Sequence, residues 1–188
     1  LGIGRDSTAI LNTRAYTFLD MNSPSDAYAD LTASLTIDSI QEWPREMRGL
    51  LRLRNHDLTG AEEDFSTLLS QHPGNEVAYS GLGTIAQERG DFPTALSLFS
   101  KAVDCRPTEE NSLQKILVLV ALDHINEAYE EARNAVKRFP REGNLFAVLA
   151  YIYKLRYQYV EAEETKKIAL NNGADSELID RLFPPRSK

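Results

Sequence analysis

The sequence predicts an all-α solenoid: about five helix–turn–helix repeats in a single array over 1–188, closed by a short C-terminal capping helix. Three ladders of residues with one shared period carry this reading. A small residue recurs as Ala27, Ala61, Ala95, Ala128 and Ala162, at steps of 34, 34, 33 and 34 by subtraction. A second recurs as Ala15, Gly49, Gly83 and Ala150, lapsing to Leu117. A proline recurs as Pro73, Pro107 and Pro140. Gly or Ala lets two helix axes approach to about 8–10 Å. One turn after the first ladder Leu31, Phe65 and Phe99 fill the gap between hairpins, shrinking to Ala132 in the fourth. The proline cannot continue a helix and ends the second one. A lone hairpin cannot bury its own apolar face, so recurrence is what counts.

The elements follow in order. The first helix is expected to start at the cap cluster Asp6-Ser7-Thr8 and to carry Ile10, Leu11, Ala15, Phe18 and Leu19. Ser23 as cap and Pro24 at the first helical position open the second, which ends near Asp38. Trp43-Pro44 opens the next hairpin, Asn55-His56-Asp57 turns it, and Thr59 with Glu62 reads as a capping box. Asn75 caps the third hairpin and Gly90-Asp91-Phe92-Pro93 breaks it. Thr108-Glu109-Glu110 places acid at a positive helix terminus. Residues 116 to 122 are apolar on all sides, so that helix is either buried on two faces or offers an apolar surface to a partner. Asn171-Asn172-Gly173 stops the fifth hairpin. A short polar helix over 175–182 is expected to cover it, halted by Pro184-Pro185.

The stretch from Glu76 to Pro107 carries a family resemblance. Tyr79, Leu82, Gly83 and Ala86, then Ala95, Phe99 and Pro107, follow the order W-x2-L-G-x2-Y, A-x3-F, P, with Tyr79 for the Trp and Ala86 for the Tyr. It resembles a tetratricopeptide repeat (TPR). The resemblance implies a right-handed superhelix, with repeats at 8–41, 42–75, 76–109, 110–142 and 143–174 and the cap at 175–188.

Bulk properties exclude several classes. With 28 acidic against 21 basic residues and a net charge of -7, the chain lacks the basic surface that nucleic-acid binding needs. No apolar run is long enough to span a membrane. One cysteine permits no internal disulfide. The chain opens Leu1-Gly2-Ile3-Gly4 with no initiator Met and no signal peptide, which reads as an excised or processed piece. Arrays resembling this one occur in periplasmic export and pilus-building proteins and in cytosolic scaffolds, and the residues favour neither.

Catalytic chemistry finds little support. His56, His72 and His124 fall in or near turns, far from a shared metal site, and read as solvated. Cys105, in the last turn of a second helix, reads as a buried or half-buried filler. Gly81-Leu82-Gly83 follows no strand and is no nucleotide loop. Glu62-Glu63-Asp64 and Glu161, Glu163 and Glu164 read as solvated helix faces. No enzyme activity, cofactor or metal is expected.

What the resemblance implies is a concave groove lined by the first helices. Its positions carry over as Asn12 and Tyr16, Trp43, Leu50 and Arg54, Thr84 and Gln87, Gln114 and Val118, and Tyr151 and Lys154. Members that grip a chaperone's C-terminal carboxylate place paired Lys and Asn residues in such slots. Here those slots hold Asn12 and Tyr16, Met47, Val77 and Gly81, so chaperone-tail binding is not expected. The expected function is a protein-interaction scaffold or adaptor that holds a partner's protein or peptide segment. The alternative is an assembly module that uses the apolar fourth repeat to form a homo-oligomer or to dock within a larger protein.

Overall fold

A computed structural model describes residues 2–184, with side chains from Ser7 onward. The described residues form eleven α-helices and no strand. They are α1 (Gly2–Asp20), α2 (Pro24–Ile37), α3 (Glu42–Arg54), α4 (Leu58–Gln71), α5 (Glu76–Glu88), α6 (Phe92–Cys105), α7 (Glu109–Ala121), α8 (Ile125–Arg138), α9 (Gly143–Leu155), α10 (Tyr159–Asn171) and α11 (Ser176–Leu182). The chain divides into two compact units, the first ending at Arg89 and the second beginning at Gly90.

Local chemistry sets the turns. Asn22, His56, Gly90, Asp123 and Tyr157 have φ of 55°, 57°, 77°, 60° and 62°. By subtraction they stand 34, 34, 33 and 34 residues apart, so each first helix ends in one left-handed residue. Gly, Asn, Asp and His tolerate this region; Tyr157 occupies it against the steric preference of a bulky side chain. Caps follow. Asn75 Oδ1 accepts from the Ala78 amide at 2.8 Å, Asp91 from Thr94 at 3.2 Å, and Thr108 Oγ1 from Asn111 at 3.1 Å.

Several expectations are corrected. α1 begins at Gly2, not after the Asp6-Ser7-Thr8 cluster, and Thr8 is a buried residue inside it. The helix runs on upstream of them to Gly2, so Ser7 and Thr8 are carried inside it. Ser23 precedes Pro24 at N1 as expected, but its side chain makes no cap bond. The α4 cap is Asp57, which accepts from the Gly60 amide at 3.0 Å. The Thr59–Glu62 box is therefore not formed, and Glu62 instead pairs with Arg89 at 2.6 Å. Cys105 is exposed, because the last turn of α6 extends beyond its packed face. α11 is amphipathic, with Leu178, Ile179 and Leu182 buried, and it packs on α9. It ends at Leu182, before Pro184; Pro185 lies outside the described residues. α7 is buried on more than one face, with Leu113, Ile116, Val118 and Leu119 at 6%, 1%, 1% and 2% exposure. That withdraws the apolar surface on which the assembly alternative rested.

Within the N-terminal unit, one side chain ties three helices together. Phe65 on α4 is fully buried. A Cβ added to Gly49 on α3 would stand 2.7 Å from its Cε1, and one on Gly81 of α5 would stand 2.5 Å from its Cζ. The ring is thus clasped between two glycines, with Ala61, Leu68, Ala78 and Ile85 around it. In the C-terminal unit α7, α8, α9 and α11 share one core of Leu113, Ile116, Leu119, Leu145, Val148, Ile152 and Leu178, among others.

A second ladder is ionic. Arg14 on α1 grips Asp30 on α2 through Nε at 2.6 Å and Nη2 at 2.7 Å. One period on, Arg48 grips Asp64 at 2.9 and 2.6 Å. Lys115 meets Glu131 at 2.7 Å in the C-terminal unit. Asp64 is therefore not solvated, as the sequence suggested. It is buried, and Arg45 and Arg52 also bond to it at 3.3 and 2.9 Å. Elsewhere in that cluster Arg52 donates to Gly60 O at 2.9 Å and to Tyr28 Oη at 3.3 Å, and Arg45 donates to Ser39 O, while Arg45 Nε is buried without a partner.

These pairs give the fold an acid limit. The bond from Arg14 holds Asp30 below its ordinary value, the bond from Arg89 does the same for Glu62, and bonds from Thr94 lower Asp91. Because the folded values lie below the unfolded ones, the stability is fully present above the ordinary carboxylate range, about 4. It is lost as pH falls through the lowered values. Thermal midpoints measured from pH 7 to pH 3 should hold down to about 4 and then drop. Arg14→Gln should shrink that drop; an unchanged acid limb would rule out the Asp30 contribution.

Candidate interaction site

In the N-terminal unit the structure brings Asn12, Tyr16 and Trp43 together. With Thr13 they line a shallow cavity of about 340 Å³. Tyr16 is 64% exposed, and its ring centroid stands 6.4 Å from that of Trp43 at an interplanar angle of 44°. Asn12 is fixed by a relay of amides. Gln41 Nε2 donates to Ser34 O at 3.1 Å and to Asp38 O at 2.9 Å, so its Oε1 is left to accept from Asn12 Nδ2 at 2.8 Å. That orientation leaves Asn12 Oδ1 buried without a hydrogen-bond partner. Leu50 and Arg54 on α3 are exposed, Leu50 at 38%. Thr84 is half-buried and spends its hydroxyl on Ser80 O at 3.1 Å. Gln87 is half-buried, with Oε1 lacking a partner.

The groove residues of the C-terminal unit are differently employed. Val118 is buried and out of a partner's reach. Gln114 donates to Glu110 at 2.6 Å. Tyr151 packs edge-on against Phe183, centroids 6.0 Å apart, and Lys154 lies 5.8 Å from the Tyr151 ring and 5.2 Å from the Phe183 ring. Phe183, which follows the cap helix, thus covers a position the sequence assigned to a partner. Its role was not readable, because nothing in a short tail shows where it folds back.

Other features escaped the sequence. A cavity of about 500 Å³ lies among α6, α7 and α8, with Leu96 and Leu119 in its lining beside Glu127, Glu130 and Glu131. Arg156 and Arg133 both lie over the Tyr129 ring, at 4.2 and 5.4 Å. His56 is an exposed turn residue and His124 an exposed cap of α8. Burial raises Glu109 above its ordinary value, with Glu142 and Glu110 adding repulsion.

The chain matches no protein-family model and no curated protein in sequence. Solved structures match it well. PilF of Pseudomonas aeruginosa superposes with a TM-score of 0.80 at 15% identity, over 95% of this chain and 84% of that one. YrrB, described as a TPR protein with an unusual peptide-binding site, gives 0.68 at 19% identity, over 91% and 89%. TTC0263, a thermophilic TPR protein of Thermus thermophilus, gives 0.70 at 17% identity, over 93% and 96%. This chain has the tetratricopeptide-repeat fold. In TPR terms, the small-residue ladder is where paired helices meet, and Asn12, Tyr16 and Trp43 stand on the first helices of two successive repeats. No described helix is long and apolar enough to cross a membrane.

Proposed function

We propose that this protein is a non-enzymatic interaction scaffold that holds a segment of a protein partner over the first helices of its repeats. One observation carries the reading: Tyr16, 64% exposed, stands beside Trp43 in an open cavity whose other wall is the oriented amide of Asn12. An aromatic pair with a nearby amide suits an apolar side chain anchored beside a backbone segment. The TPR fold and the peptide site in YrrB's description support it by analogy.

The test begins with a pull-down and continues by calorimetry on the partner recovered. Tyr16→Ala should weaken binding about thirtyfold, the loss expected of one aromatic anchor. Helicity should not change, because that ring is mostly solvent-exposed. Tyr151→Ala should weaken it far less, since Phe183 already occupies that ring. Glu63→Ala and Glu130→Ala, both exposed on second helices, serve as controls. Binding abolished by the controls and untouched by Tyr16→Ala would sink the proposal. A light-scattering mass that grows with concentration would instead favour an assembly role.

A further inference from the structure

The cavity of about 500 Å³ among α6, α7 and α8 has a filled counterpart two repeats earlier. By summed steps of 68 on α6 and 67 on α7 and α8, its residues Leu96, Lys115, Leu119, Glu127 and Glu131 match Tyr28, Arg48, Arg52, Gly60 and Asp64 of the N-terminal unit. There Arg52 fills the space from α3. Its guanidinium carbon lies 6.0 Å from the Tyr28 ring centre, and it donates to Tyr28 Oη, Gly60 O and Asp64. Leu119 stops short in the same slot, whereas the acid of the Asp64 slot is kept as Glu131. The equivalents of Leu96 draw a guanidinium twice more. Arg89 meets Glu62 at 2.6 Å, and Arg156 stands 4.2 Å over the Tyr129 ring. Glu62 and Tyr129 share the Leu96 slot, and Arg89 and Arg156 share the slot of Leu122. Three residues at this place thus each receive a guanidinium from the chain. At Leu96 both supplying positions, 119 and 122, are leucine.

We infer that this cavity is a binding site for an arginine side chain of a partner protein, which enters from solvent between α6 and α8. The charge is complementary: Glu127, Glu130 and Glu131 line the cavity against the one ammonium of Lys115. Lys115 is bound to Glu131 at 2.7 Å. Glu130 lies 3.9 Å from Arg133 and Glu127 3.7 Å from His124, both beyond hydrogen-bond length. The arginine's methylenes cover Leu96 and Leu119, as such stems cover apolar surface elsewhere. Its guanidinium then reaches Glu127 and Glu131 together, which the point charge of a lysine does less well. The walls are consecutive repeats inside the array, with α6 and α8 both packed on α7. A repeat stacked before α1 or after α11 would lengthen the array without covering this cavity. None of its residues lines the Tyr16–Trp43 cavity, and neither reading depends on the other.

The probe is the blocked tripeptide acetyl-Ala-Arg-Ala-amide, titrated into the isotope-labelled full chain and followed by amide NMR. Shifts should centre on Leu96, Ser100, Leu119 and Glu127. The same peptide with citrulline, which keeps the shape and loses the charge, should bind at least tenfold more weakly. The lysine peptide should fall between the two. Glu127→Lys should weaken arginine binding about tenfold while the thermal midpoint holds, because the position is exposed. Leu122→Arg should also block the probe, by supplying from within what Arg89 and Arg156 supply in their repeats. Tyr16→Ala should leave it unchanged, which separates this site from the groove. No shifts at millimolar probe, equal binding of the arginine and citrulline peptides, or indifference to Glu127→Lys overturns the proposal. So does sedimentation showing that the free chain self-associates and that Glu127→Lys abolishes it, for then a second copy is the occupant.

Discussion

Gly81→Ala is expected to destabilise the N-terminal unit by about 2 kcal/mol. Helix propensity alone predicts the opposite, a gain of up to about 1 kcal/mol on replacing a mid-helix glycine. Packing decides the sign. The new methyl carbon would lie 2.5 Å from Phe65 Cζ, and the ring cannot retreat because Gly49 of α3 meets its other edge. Overpacking of this kind costs about 1–3 kcal/mol, here near the upper end. Phe65→Leu in the same chain should recover part of the loss, so the double variant should be more stable than the two single losses sum to. Urea midpoints at unchanged slope measure all three. A higher midpoint for Gly81→Ala would show that the ring is not clasped.

Asp64→Asn should cost more, about 3–5 kcal/mol, the range for removing one partner from a buried ion pair. The substitution keeps the shape and removes the charge that three guanidiniums share. Arg45, Arg48 and Arg52 have side-chain exposures of 9%, 14% and 18%, so water cannot replace the lost anion. Asp57, 3.7 Å from Arg52 and half exposed, is too distant from the other two to substitute. Asp30→Asn is the internal comparison. Its one guanidinium partner is 58% exposed, and its loss should be clearly smaller. Equal losses at the two positions would mean that the extra arginines do not depend on Asp64.

The fold was legible because its determinants are periodic. Ala27, Ala61 and Ala95 need no knowledge of their neighbours to be read as close-approach residues. Caps were legible where a single polar residue precedes the helix, as at Asn75, and failed where two candidates compete, as with Asp57 and Thr59. The ionic ladder was missed although the same ruler finds it: Arg14 to Arg48 and Asp30 to Asp64 are both 34 apart. Asp64 was read within the run Glu62-Glu63-Asp64, and composition hides which of three acids points inward. The site was less legible. Asn12, Tyr16 and Trp43 converge, but Val118 is buried and Tyr151 is met by Phe183. Tyr151's outcome depends on what packs across from it, which spacing along one helix does not encode; Val118 stands one residue past its slot, since the step of 33 from Thr84 leads to the half-buried Leu117.

The spacing of the ion pairs bears on how such a chain avoids folding wrongly. Tandem repeats of similar sequence invite a first helix to close on the second helix of another repeat. Here the facing slots are not alike. They hold Arg14 and Asp30, Arg48 and Asp64, and Lys115 and Glu131, but Leu82 and Leu98 in the third repeat and Leu149 and Thr165 in the fifth. If α1 closed on α10, Arg14 would confront Thr165; if α9 closed on α4, Leu149 would confront Asp64. The second error leaves Asp64 buried without its cations, a penalty of several kcal/mol, whereas the first costs less because Arg14 stays largely exposed. Charged and uncharged slots thus act as a parity check on helix pairing: it separates repeats one, two and four from repeats three and five, and leaves exchange free only within each group.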